Sequence, residues 1–387
     1  ALPICHRQQF LGETTMKYKY WLDNTGLSNG KKNLLLEYFQ TAEEVYRGTE
    51  ETYQKIPQLK EEEIQRITRA KRKWDIKEEY QKLAEGGVSV TFACDKNYPK
   101  KLKNIYQPPF ALYYSGKLPG ERLSVAIVGA RRCSEYGHYM ARKLGETLGR
   151  NRIPVISGLA EGIDAAGQAG AIKGGGETYA VLGCGVDICY PAQNRSLYDA
   201  VLKNGEILSE YLPGTAPMAC NFPPRNRIIS GLSDALIVVE ARQKSGTSIT
   251  VNMALEQGKD VYAIPGRITD PMSLGCNHMI SQGAGIITDV EEGLLEIRQM
   301  ILERTEHADK CNKAQDNTGL HNINRQKNPY LPDDLKGRLY ACMDYMPKTM
   351  QQLYEEIGDA NIAETMTALL QMELDGAVVE KGGAYSL

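Results

Sequence analysis

Between residues 85 and 300 the chain alternates short β-rich apolar runs with helical runs, and this alternation limits the fold more than any other feature. Nine strand candidates follow one another: "VSVTF", "ALYYSG", "SVAIVGA", "IPVISG", "TYAVLG", "EILSEY", "DALIVVE", "DVYAIPG" and "GIITD". Several are almost wholly apolar, as parallel strands buried on both faces must be. Helical stretches such as "YMARKLGETLGR" and "TVNMALEQG" lie between them. The repetition predicts an open, doubly wound α/β sheet.

The flanks read differently. Residues 16–84 are helical: "GKKNLLLEYFQTAEEVYR" puts Leu34, Leu35, Tyr38 and Phe39 on one face, and "KEEEIQRITRAKRK" carries Ile64 and Ile67 one turn apart. The turn "GLSNG" joins two helical runs, either as a plain packing unit or as a hairpin of the helix–hairpin–helix kind. Residues 301–332 are polar and read as a flexible linker. Residues 333–387 give three helical runs and a two-stranded tail, the order of a winged helix. Residues 1–15 are expected to be a tag or extension outside the fold; they lack the apolar core of a secretory signal.

A chain of 387 residues exceeds one small core, so two or three domains are expected. The formal net charge is -2, so any nucleic-acid site must be a local concentration of cations. Nine cysteines are scattered, and the Cys184–Cys189 spacing is not completed by a second pair or a histidine. No metal and no disulfide framework are expected, and a reduced cytoplasmic setting is. No run of 18 apolar residues exists, so no membrane span is expected.

Ligands of an open parallel sheet bind outside the carboxyl ends of its strands. One such end carries Gly129, Arg131, Arg132, Ser134 and Gly137; another Ser157, Gly158 and Gly162; another Gly183 and Gly185; another Glu240, Lys244, Ser245, Gly246, Thr247 and Ser248. Glycines admit close backbone approach, hydroxyls donate, helix N-termini present unpaired N–H groups, and arginine forks onto phosphate oxygens. The segment "FPPRNRIISG" adds Phe222, Arg225, Asn226 and Arg227, with Pro223 and Pro224 suited to a first helical turn and Ile228 and Ile229 to anchoring. These loops predict a phosphate cradle larger than one nucleotide. The alternative is that the arginines pair with internal acids such as Glu210 or Glu240. Tyr136, Tyr190 and Phe222 lie in the same loops, for base stacking or for core packing.

Other chemistries lack their signatures. There is no G-x-G-x-x-G, no P-loop and no G-x-S-x-G elbow. His138 and His278 are the only histidines of the α/β region, and Asp164 reads as a helix cap, so no catalytic residue and no cofactor is assigned.

Together the segments "IVGARRCSEYG", "VISGLAEGIDAAG", "YAVLGCGVDICYPAQN", "FPPRNRIISGLSDALIVVEA", "SGTSITVNMALEQGKDVYAIPG" and "GCNHMISQGA" resemble the DNA processing protein A family (DprA, or Smf) over residues 88–300. The resemblance implies a Rossmann-like core, a helical SAM-like domain before it and a winged helix after it. It implies a cytoplasmic homodimer, not an enzyme, that binds and protects single-stranded DNA and loads a RecA-type recombinase in natural transformation. It implies phosphate contacts at Arg131, at Ser157 and Gly158, and across Phe222, Arg225, Asn226 and Arg227. Two positions depart: Glu177 stands where the family has a basic residue, and Gln168 where it commonly has histidine. A second reading is an enzyme, since nucleotide phosphoribohydrolases share the fold type and "KSGTS" partly matches their phosphate loop. The third helix of the terminal unit carries Glu364, Glu373 and Asp375 and no cation, which predicts protein contact rather than duplex reading.

Overall fold

In the computed structural model the described residues are 15–316, 334–342, 348–357, 361–374, 378–381 and 384–386. Residues 1–14, and residues 317–332 of the expected linker, lie outside them. The chain divides into two compact units, Ala1–Glu306 and His307–Leu387.

The first unit opens with six helices: α1 (residues 15–23), α2 (Asn29–Phe39), α3 (Ala42–Arg47), α4 (Glu50–Gln54), α5 (Glu61–Lys73) and α6 (Ile76–Glu85). Trp21, Leu35, Val45, Tyr53, Ile64 and Ile67 form their core. Each fully buried side chain of this size contributes ~1.5–3 kcal/mol. Tyr38, expected on the apolar face of α2, is half-exposed. Lys32 is buried in its stead, because its ammonium meets Asp23 Oδ1 at 2.6 Å. The Tyr113 hydroxyl donates to Asp23 Oδ2 at 2.5 Å, which ties the helices to the sheet.

The remaining elements of the unit run β1 (Ser89–Phe92), α7 (Lys100–Lys103), β2 (Ala111–Ser115), β3 (Val125–Val128), α8 (Glu135–Arg150), β4 (Val155–Ser157), α9 (Ile163–Lys173), β5 (Thr178–Leu182), α10 (Arg195–Asn204), β6 (Gly205–Ser209), α11 (Phe222–Leu232), β7 (Ala235–Val238), α12 (Gly246–Glu256), β8 (Asp260–Ala263), α13 (Leu274–Ser281), β9 (Gly285–Ile286) and α14 (Val290–Asp316). All nine strand candidates form strands, in the order β1-β2-β6-β5-β4-β3-β7-β8-β9. From β6 to β9 every pairing is parallel, while β2 is antiparallel to both β1 and β6. Alternate residues serve opposite faces. Ala126, Val128, Leu236 and Val238 pack in one core, and Val125, Ile127, Ala235 and Ile237 in another. The chain steps outward from β3 through β4 and β5 to β6, then returns to lay β7 on the other side of β3. That reversal leaves a crevice between the ends of β3 and β7.

Residues 301–316, read as part of a linker, continue α14 instead. They are rich in Glu, Arg, Lys and Ala, and strong helix formers extend an existing helix at little cost. No described helix is long and apolar enough to cross a membrane, and no three His, Cys, Asp or Glu among the described residues group as metal ligands.

The second unit holds α15 (Leu335–Cys342), β10 (Lys348–Thr349), α16 (Met350–Ile357), α17 (Ile362–Leu374), β11 (Val379–Lys381) and β12 (Ala384–Ser386). The tail is two-stranded as expected, and β10 adds a third strand in the order β10-β12-β11. Leu339, Leu353, Leu369 and Met372 form its core.

Candidate functional site

A cleft of about 680 Å³ opens at the β3/β7 reversal. It is lined by the turn after β3 (Gly129, Arg131, Arg132), by Asp164 of α9 and Tyr190 beyond β5, by the start of α11 (Phe222, Arg225, Asn226), by the loop after β7 (Arg242, Ser245) and by the start of α12 (Gly246, Thr247). A side recess of about 90 Å³ adds Gly158. The cleft lies outside the carboxyl ends of β3 and β7, where the carboxyl-end rule places ligands.

The stretch "FPPRNR" is the first turn of α11, with its prolines where no backbone N–H is needed. Arg225 is 3% exposed, and no carboxylate among the described residues lies within ion-pair distance of it. Its Nη1 donates to the Gly158 carbonyl at 2.9 Å and to the Val181 carbonyl, and its Nε to Asn226 Oδ1 at 3.3 Å. Burial pushes the guanidinium down to about 10, against the opposing pull of the Asp164 carboxylate, so it stays charged at neutral pH. A Cβ on Gly158 would lie 2.6 Å from Arg225 Nη2, so a larger residue there would displace the guanidinium. Asp164 accepts from the Gly158 N–H at 3.1 Å, and its burial raises its carboxyl while Arg225 pulls it down.

Phe222 is half-buried and meets two cations. The Arg131 and Arg225 guanidiniums lie 5.5 and 5.7 Å from its ring centre, and the Tyr190 ring lies 5.4 Å away, tilted by 35°. The aromatic pair and the two arginines thus share one wall, with Tyr190 41% exposed. Cation–aromatic contacts of this kind help hold a guanidinium in place. Tyr136, also half-exposed, does not line the cleft.

The turn after β3 differs from expectation. The N-terminus of α8, anticipated as an anion site, already holds the buried carboxylate of Glu240. Glu240 Oε2 accepts from the Ser134 N–H at 2.9 Å, Oε1 accepts from the Ser134 hydroxyl, and that hydroxyl accepts from the Gly137 N–H at 3.0 Å. An internal acid therefore complements the helix dipole there. Arg131 and Arg132 project beyond it and are exposed. At α12 no side chain caps the N-terminus, and Ser245 Oγ is buried with no hydrogen-bond partner.

Three expected site residues face elsewhere. Arg227 is not in the cleft lining: its Nη1 and Nη2 donate to Glu210 Oε1 and Oε2 at 2.8 and 2.6 Å, and its Nε to the Gln107 carbonyl. The alternative of an internal acid thus holds for Arg227 and fails for Arg225. Ser157 is buried and donates to the Ile127 carbonyl at 2.6 Å, so its hydroxyl ties β4 to β3. Lys244 is exposed outside the lining. Glu177 precedes β5 at the amino end of the sheet, opposite the cleft, and pairs with Arg122. Arg242 was missed. It stands four residues past β7, as Arg132 stands four past β3, and that parallel spacing was the available signal.

Residues 89–298 match the DNA recombination-mediator protein A family. The chain is 41% identical over 222 residues to the DNA processing protein DprA of Streptococcus pneumoniae, covering 57% of this chain and 77% of that protein. It is 34% identical over 310 residues to protein Smf of Synechocystis, covering 75% and 77%. The X-ray structure of the Streptococcus pneumoniae protein superposes with a TM-score of 0.63 at 35% identity, over 72% of this chain and 97% of that one. A cleft built from the motif segments, on this sheet and at this level of identity, makes the chain a member of the DNA recombination-mediator protein A family.

Proposed function

We propose that the cleft binds the backbone of single-stranded DNA, and that the chain delivers this DNA to a RecA-type recombinase during natural transformation. The observation that carries the reading is the wall formed by Arg131, Phe222 and Arg225. It combines charge for phosphates with an aromatic face for bases, the two needs of single-strand binding. Arg132 and Arg242 extend the positive lining. Gly129, Gly158, Asn226, Ser245, Gly246 and Thr247 supply close backbone approach and neutral donors; Ser157 and Arg227 shape the site from behind. Membership of the family supports protection of the bound strand, recombinase contact and a homodimer as parts of the same proposal.

The order helix, strand, helix, helix, strand, strand in the second unit supports a winged helix. On α17 the exposed residues include Glu364, Met366, Leu370 and Glu373, which favours a protein partner over duplex DNA. The helices α1–α6 are the proposed SAM-like domain.

Fluorescence anisotropy with labelled dT20 and a matched duplex, across a salt series, tests the reading. Single strands are expected to bind more tightly, with log K falling linearly in log salt. Equal affinity for both forms, or no binding, refutes it. Incubation with nucleoside monophosphates is expected to release no base; release would favour the phosphoribohydrolase reading.

A further inference from the structure

The turn between β4 and α9 is held more firmly than a surface turn needs. Leu159 is fully buried and takes φ 55°, a left-handed conformation that costs a side-chain-bearing residue ~1–3 kcal/mol. Such a conformation persists only where neighbours enforce it. Here Gln168, itself fully buried, accepts from the Leu159 N–H through Oε1 at 3.1 Å. Its Nε2 donates to Thr178 Oγ1 at 3.1 Å, and that hydroxyl donates to the Val155 carbonyl at 2.8 Å. Asn194 Nδ2 donates to the Leu159 carbonyl at 2.9 Å.

The Leu159 N–H and the Gly158 carbonyl belong to one planar peptide group. Gln168 grips one end of that plane and Arg225 the other, at 3.1 and 2.9 Å. Rotation of this peptide is the local route by which Leu159 would escape its left-handed φ. The same rotation would swing the Gly158 carbonyl away from Arg225.

We propose that Gln168 is a positioning residue for Arg225, locking the Gly158–Leu159 peptide so that its carbonyl aims the guanidinium along the cleft, and that Asn194 supports it by holding the neighbouring Leu159–Ala160 peptide and with it the left-handed turn. The inference rests on the cleft being the single-strand site. Gln168 suits the task because its amide offers one acceptor and a donor at fixed separation. A neutral imidazole also offers one of each, whereas leucine offers neither.

The test uses the full chain, labelled dT20 and a salt series, with thermal melting as a control. Gln168→Leu is expected to weaken binding about tenfold, equivalent to ~1.4 kcal/mol, and to reduce the salt slope by about 0.7, one phosphate contact. Added to Arg225→Ala it is expected to change nothing further, because the pair acts as a unit. Gln168→His is expected to restore most of the affinity. Asn194→Ala, at a half-buried position, loosens the same turn and repeats the test if the leucine variant fails to fold. The inference is overturned if wild type binds and Arg225→Ala weakens binding while the foldable turn variants bind like wild type. It is also overturned if they weaken the Arg225→Ala protein just as much. If wild type itself does not bind, the functional reading and this inference fall together.

Discussion

Arg227 and Glu210 form a two-point ion pair, at 2.6 and 2.8 Å, with both side chains about nine-tenths buried. Arg225, two residues earlier on the same helix turn, has no such partner and lines the cleft. Residues two apart on a helix point to nearly opposite sides, so Arg227 meets Glu210 while Arg225 faces the cleft.

The two substitutions should therefore separate. Arg225→Ala is expected to weaken dT20 binding at least tenfold, on the scale of ~1.5–3 kcal/mol for a hydrogen bond to a charged group. Arg227→Ala strands a buried carboxylate and is expected to cost ~3–5 kcal/mol of stability. Urea denaturation beside anisotropy checks both; a stable Arg227→Ala protein with lost binding would reverse the assignment.

Phe222 presents its ring to two guanidiniums and to Tyr190. Phe222→Ala is expected to reduce single-strand affinity by ~1–3 kcal/mol, the range for one stacked base. The salt slope should stay close to that of wild type, because the variant keeps every cation. A large fall in the slope would mean that the ring chiefly places Arg131.

Gly137 sits against Glu240, and a Cβ there would fall 2.3 Å from Glu240 Oε2. Gly137→Ala is expected to destabilise by ~1–3 kcal/mol through overpacking. Pairing it with Glu240→Ala should recover part of that loss, since the smaller side chain makes room. Thermal melting of the single and double variants decides it, and strict additivity would rule out the contact.

Glu206 gives a pH dependence. Its Oε2 is buried without a hydrogen-bond partner, and burial raises the carboxyl from 4.5 to about 7, while the Lys117 backbone N–H opposes the rise. Between those values the folded chain keeps a proton that the unfolded chain has lost. Stability from this group is therefore full below about pH 4.5, falls as the pH rises, and levels off above about pH 7. Glu206→Gln is expected to gain on wild type between pH 5 and pH 8 in urea midpoints. Parallel midpoints across that range would exclude the group.

Much of this was legible in the residues because it depends on local pattern. Apolar runs between helical runs specified nine strands, and the almost wholly apolar make-up of several specified that both faces would be covered. The rule that ligands meet strand carboxyl ends picked out Arg131, and the proline-led helix start of "FPPRNR" picked out Phe222 and Arg225, before any contact was known. What pattern could not assign was partnership across the fold. Whether a given arginine met Glu210 or the cleft, whether the α8 N-terminus was open or filled by Glu240, and which peptide Gln168 would grip all depend on residues far apart in the chain. Electrostatic and hydrogen-bond pairing is decided by distances of a few ångströms, and only the packed sheet and its helices bring such groups that close.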